Sequence, residues 1–300
     1  MSRIFDALQR SETERLGVLP ENALALATEL LQSAEREVTH AGAIANSGVG
    51  VTEPVGSDLG PFQSLSVSLP PHSRLICLTA KDSLGAEKFR FLGVRLRQFQ
   101  QGRPLKKVLI TSTIPEEGKS TISGNLAATL ARKQKQKILL LEGDLRRPSL
   151  CHQFGLSKLP GLSEWLQGPP GPIANIYYLE GPGFWFLPAG HPPDNPLELM
   201  QSGRLSELMD RLTAGFDWIV IDSPPVLPLA DTTVWTRVAD GILLVTREGT
   251  TEKRQLVRGL QVLEQSKLLG VVLNSSKNTD HKNYYQRYGP ASAQPSTDVK

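Results

Sequence analysis

The residues best suited to chemistry lie between an apolar stretch at 107–111 (KVLIT) and a segment with helical apolar spacing at Ile122, Leu126, Ala127 and Leu130. They read Thr113-Ile114-Pro115-Glu116-Glu117-Gly118-Lys119-Ser120-Thr121. A strand that turns into a helix start presents backbone N–H groups and the positive end of the helix dipole to an anion. A lysine there reaches the outer phosphates of a nucleotide, and the following hydroxyl binds Mg²⁺. Gly118, Lys119 and Ser120 have the types and spacing for this, with Thr113, Glu116, Glu117 and Thr121 completing the cradle. Thr113 stands where the phosphate-loop pattern begins with glycine, so the strand–loop–helix context carries the reading.

Two acidic motifs follow, each at the end of an apolar run. In Leu141-Glu142-Gly143-Asp144-Leu145-Arg146-Arg147-Pro148, the two acids are two residues apart and project the same way from an extended chain. Such a pair can hold metal-bound water or take a proton. Arg146 and Arg147 offer planar forks to a transferring phosphate, although a solvated acidic–basic turn has the same composition. In Ile219-Val220-Ile221-Asp222-Ser223-Pro224-Pro225, an acid directly after a strand suits a Mg²⁺ ligand; a turn acid or helix cap is the plainer alternative.

These groups need a scaffold. Strands are expected at 107–111, 137–141, 217–222, 240–246 and 269–274, as continuous apolar runs of the kind covered on both faces. Helices are expected at 86–98, 119–132, 195–212, 231–238 and 251–265. Alternating elements of this sort imply an α/β fold, an open, doubly wound, mainly parallel sheet with helices on both faces. In such sheets, ligands sit at the carboxyl ends of the strands. Residues 148–195, rich in Pro and Gly, read as a surface excursion. Residues 1–74 read as an extension with short amphipathic helices at 4–16 and 20–38 and a linker at 40–71. The catalytic domain is then 75–277, and 278–300 a flexible tail.

Composition narrows the function. Lys and Arg exceed Asp and Glu by three, with 21% charged residues, which provides no basic stripe for nucleic acid. Two cysteines, Cys77 and Cys151, form no disulfide framework or zinc site, consistent with a reducing cytoplasm. No stretch reads as a signal peptide or membrane span.

The order GKST, then ExDLRRP, then DSPP, then GVVLN resembles the bacterial tyrosine kinases that accompany capsule and exopolysaccharide export. These are members of the deviant-Walker P-loop ATPases. Leu187-Pro188-Ala189-Gly190, Pro192-Pro193, Asn195-Pro196 and Pro224-Pro225 with Asp231 extend the resemblance over about 84–288. It implies ATP and Mg²⁺ as cofactors, Lys119 on the β and γ phosphates, and Ser120, Asp144 and Asp222 around the metal. It also implies Asn274 on adenine, and Tyr284, Tyr285 and Tyr288 as phosphoacceptors. Lys119, Glu142, Asp144, Arg146 and Asp222 form the implied catalytic set, with Glu142 or Asp144 taking the tyrosine proton. The implied partners are a membrane-embedded polysaccharide co-polymerase and further copies of the chain. That would recruit a cytoplasmic protein to the inner face of the membrane.

The chain departs from the family in three places. Glu116 replaces a usual glycine, and Glu142 replaces a usual aspartate, where a shift of about 1 Å can cost on the order of 10²-fold in rate. In the ring-assembly pattern Glu-x-x-Arg-x-x-Arg, Glu87 and Arg90 are present but Gly93 takes the last arginine's place, with Arg95 and Arg97 following. Two other readings therefore stand beside the kinase: an ATP-hydrolysing switch of the export machinery, and a partitioning-type positioning ATPase.

Overall fold

The computed structural model describes residues 62–132, 135–227 and 230–276. The helices expected at 4–16 and 20–38, most of the linker, and Tyr284, Tyr285 and Tyr288 lie outside these residues. Among the described residues, eight strands form one sheet: β1 (Gln63–Ser66), β2 (Lys107–Ser112), β3 (Ile138–Glu142), β4 (Tyr177–Glu180), β5 (Phe184–Leu187), β6 (Trp218–Asp222), β7 (Gly241–Arg247) and β8 (Leu268–Asn274). Their order is β1-β4-β5-β3-β6-β2-β7-β8, and every pairing is parallel except the β4–β5 hairpin.

The helices are α1 (Ile76–Thr79), α2 (Leu84–Gly102), α3 (Lys119–Ala131), α4 (Leu150–Gln153), α5 (Leu162–Gln167), α6 (Pro196–Gln201), α7 (Arg204–Gly215), α8 (Asp231–Val238) and α9 (Lys253–Val262). Two apolar layers sandwich the sheet. Leu139, Leu141, Ile219 and Ile221 join the layer that includes Leu208, Leu212, Trp235 and Leu263. Ile138, Leu140, Val108 and Ile110 join the other, with Leu96, Leu126 and Leu130. Burial on both faces explains why these strands read as unbroken apolar runs.

Three expectations change. The excursion at 148–195 contains α4, α5, β4 and β5, and both strands are part of the sheet. They are four residues each, too short for a periodicity signal, and their aromatics supply the burial: Tyr177, Phe184 and Phe186 all face inward. The linker at 40–71 contains β1, which pairs in register with β4 from Gln63↔Tyr177 to Ser66↔Glu180. Its residues are largely exposed, as befits an edge, so no apolar run marks it. The single helix expected at 195–212 is two, α6 and α7, separated at Gly203 with φ 81°.

Sheet order is what builds the site. β6 lies between β2 and β3, with Asp222 in register with Ile110 on one side and Glu142 on the other. The loops leaving these three carboxyl ends therefore meet. No helix among the described residues is long and apolar enough to cross a membrane.

Candidate active site

The phosphate loop leaves β2 and enters α3 at Gly118, whose φ of 93° is left-handed. An added Cβ there would lie 2.2 Å from Asn274 Nδ2, so glycine is required both for its conformation and for the close approach. Glu116 adopts φ 66° without being glycine, a conformation that disfavours side-chain-bearing residues. Its side chain is exposed and its carbonyl accepts from Arg247 Nη1 at 3.3 Å.

Glu117 turns inward and is fully buried. Ile114 N donates to its Oε2 at 2.9 Å, Thr251 Oγ1 donates to its Oε1, and Asn274 Nδ2 donates to its carbonyl at 2.9 Å. Glu117 thus braces the loop from within rather than facing a ligand. Asn274, at the end of β8, spends its amide on this brace. Thr113 is also buried, its methyl 3.1 Å from where a Cβ on Gly259 of α9 would stand. The side chain that replaces the loop's usual first glycine is accommodated by a glycine on the neighbouring helix.

Lys119, Asp144 and Asp222 come together. Lys119 Nζ is 3.2 Å from Asp144 Oδ2, with both side chains largely buried. Arg147 N donates to Asp144 Oδ1 at 3.0 Å. Asp222 Oδ1 accepts from Ser123 Oγ at 3.2 Å, and the same hydroxyl donates to Lys119 O, one turn earlier, at 2.9 Å. Asp222 Oδ2 is buried with no hydrogen-bond partner. Burial pushes the Asp222 carboxyl up to about 6, opposed by the charge of Lys119 and the hydroxyls of Ser120 and Ser123.

An unpartnered buried carboxylate oxygen needs a partner. Ser120, Asp144 and Asp222 are hard oxygen donors of the kind Mg²⁺ takes. No cluster of three or more His, Cys, Asp or Glu forms a metal site among the described residues. This donor set therefore fits a Mg²⁺ that arrives with phosphates and keeps water, not one held by an all-protein cage.

Glu142 and Arg146 are positioned otherwise than their motif suggests. The Glu142 carboxylate is buried, and Ser149 N, Leu150 N and Ala189 N all donate to it, at 2.6, 2.6 and 3.2 Å. Its extra methylene carries it into the backbone of two loops. Burial pushes it up to about 7, the three backbone N–H groups oppose that, and the Asp222 charge adds to the rise. Arg146 forms a two-pronged ion pair with buried Asp231 at the start of α8, at 2.6 and 3.1 Å. Gly143 between them is needed because Trp235 of α8 packs against it: an added Cβ would lie 2.6 Å from the indole.

Sequence reasoning did not find Ser123, Thr251 or Gly259. Ser123 carried a signal, since it lies one turn beyond Lys119. Thr251 and Gly259 carried none, because only the β2–β7 pairing brings them to the loop.

No model of a protein family matches the chain. Individual relatives do. The tyrosine-protein kinase YwqD of Bacillus subtilis (strain 168) is 35% identical over 212 residues, 70% of this chain and 89% of YwqD. The chain belongs to the bacterial tyrosine-protein kinase family. Its relatives include further tyrosine-protein kinases and a protein of succinoglycan biosynthesis and transport. The succinoglycan biosynthesis transport protein ExoP of Rhizobium meliloti (strain 1021) is 32% identical over 279 residues, 88% of this chain. The chain spans about a third of ExoP's length, 34%. Among solved structures, the chimerical protein CapA2B2 aligns with a TM-score of 0.64 and 30% identity, over 71% of this chain and 94% of its own.

Proposed function

We propose that this member of the family is an ATP-dependent tyrosine kinase acting on its own tail, at Tyr284, Tyr285 or Tyr288, in the control of polysaccharide polymerisation and export. The observation that carries the reading is the convergence of Lys119, Asp144 and the unpartnered oxygen of Asp222 at the carboxyl ends of adjacent strands. Backbone N–H groups at the start of α3 and the Lys119 ammonium would bind the phosphates. Ser120, Asp144 and Asp222 would hold Mg²⁺, which when bound neutralises charge developing on the phosphates.

Lys119 is paired with Asp144 in this state. When Lys119 moves to phosphate, Asp144 Oδ2 is released from the ammonium, and that oxygen accepts the tyrosine proton, directly or through a water on the metal it would help to hold. Glu142 is unsuited to that task, because three backbone amides already occupy its carboxylate. Arg146 acts on the site through Asp231, fixing the loop that carries Asp144. A membrane-embedded co-polymerase as activator, assembly of several copies and recruitment to the inner membrane face belong to the same proposal.

A second reading draws on a specific observation. With Glu142 and Arg146 both committed to structural contacts, the site has fewer free catalytic groups than its motif suggests, which favours an ATP-hydrolysing switch. The two separate cleanly. Full-length protein is incubated with Mg-ATP and analysed for phosphotyrosine by mass spectrometry, beside Lys119→Met and the Tyr284/Tyr285/Tyr288→Phe triple variant. The kinase reading expects tail phosphotyrosine lost in both variants. ATP hydrolysis without phosphotyrosine would leave the switch.

A further inference from the structure

Helix α9 has two faces of opposite character. Leu256, Leu260 and Leu263, spaced i, i+4, i+7, face the core. Arg254, Arg258 and Gln261 repeat that spacing on the outer ridge, flanked by Lys253, Val257 and Val262, and all six are exposed. Val257 and Val262 leave 44% and 59% of their surface in solvent. Lys253, Arg254 and Arg258 form no salt bridge among the described residues.

The nearby acids are engaged elsewhere. Glu252 closes the capping box at the helix start, and Glu264 pairs with Lys267 at 3.4 Å. Val257 and Val262 stand beside these cations, so the face is mixed, cationic and apolar.

We infer that the outer face of α9 is a docking surface for the anionic headgroups of a lipid bilayer. Unpaired cations meet lipid phosphates while adjoining apolar side chains enter the headgroup boundary. Val257 and Val262 flank the Arg254–Arg258 ridge, one on each side, so cations and apolar side chains share the outer half of the helix. Each Lys or Arg near such a surface strengthens binding about fivefold, so three give roughly a hundredfold. That orients a chain at the membrane without anchoring it.

The inner side of the same helix touches the phosphate loop through Gly259 against Thr113. Docking therefore turns the layer that α9 covers toward the bilayer. The inference does not depend on phosphoryl transfer.

The test is co-sedimentation of full-length protein with phosphatidylcholine vesicles, with and without phosphatidylglycerol, at low and high salt. The expected result is binding only to the phosphatidylglycerol vesicles, weakened by salt. Arg254→Gln/Arg258→Gln lowers the partition roughly 25-fold, and Val257→Ser/Val262→Ser weakens it independently of salt, with nucleotide affinity unchanged in both. Three results would overturn the inference. One is no binding to anionic vesicles. Another is a double arginine variant that partitions like its parent, which would put the contact elsewhere in the chain, for example in residues 1–61. The third is binding to duplex DNA that this variant loses while its vesicle binding stays intact.

Discussion

At the scale of single residues, the site divides acids by what their oxygens already hold. Glu116 is a strained loop residue with an exposed side chain, so Glu116→Gly is expected to raise stability by about 1 kcal/mol, measured by denaturant unfolding. Glu142 and Asp222 are pushed up to about 7 and about 6 from 4.5 and 3.8. The folded protein therefore binds more protons than the unfolded chain, and stability from these groups is present below the unfolded values. It is lost as pH rises, through about 4.5 to 7 for Glu142 and about 3.8 to 6 for Asp222. In nucleotide-free protein, Glu142→Gln should flatten the stability–pH curve across the first window. An unchanged slope would show that Glu142 does not titrate there.

At the scale of elements, the phosphate loop is held from the β7–α9–β8 side, by Thr251 on Glu117, Asn274 on Glu117 and Gly259 on Thr113. Gly259→Val should displace Thr113 and weaken ATP binding about tenfold or more. Thr113→Gly in the same chain should recover most of the loss, because two residues in contact are energetically coupled; isothermal titration of all four proteins checks this. The sequence already indicated that the loop, Asp144 and Asp222 lie at one edge, because each follows an apolar strand and such edges meet in a parallel sheet. It did not indicate the bracing. A threonine and a glycine more than a hundred residues downstream have no local pattern, and only strand order makes them neighbours. β1, β4 and β5 were illegible for a different reason: four-residue strands leave no periodicity, and β1 is exposed.

At the scale of the whole molecule, α2 carries the altered assembly motif. Gly93 lies where α2 packs on α3, and an added Cβ would stand 3.3 Å from Thr129 Cγ2. Gly93→Arg would restore the family pattern but force a long side chain into that contact. It should destabilise by about 1–3 kcal/mol without promoting assembly, as thermal unfolding and light scattering would report. The family resemblance was legible because its motifs fall at strand ends. The roles of Glu142 and Arg146 were not, since motif position says nothing of which way a carboxylate or guanidinium is already bonded. The central claim is that Asp144, and not Glu142, serves the transferring phosphoryl group beside Lys119. Single-turnover phosphotransfer in Asp144→Asn and Glu142→Gln tests it most directly. The account predicts a loss on the order of 10²-fold or more for Asp144→Asn and a rate within about tenfold of the parent for Glu142→Gln. The reverse ranking would contradict it.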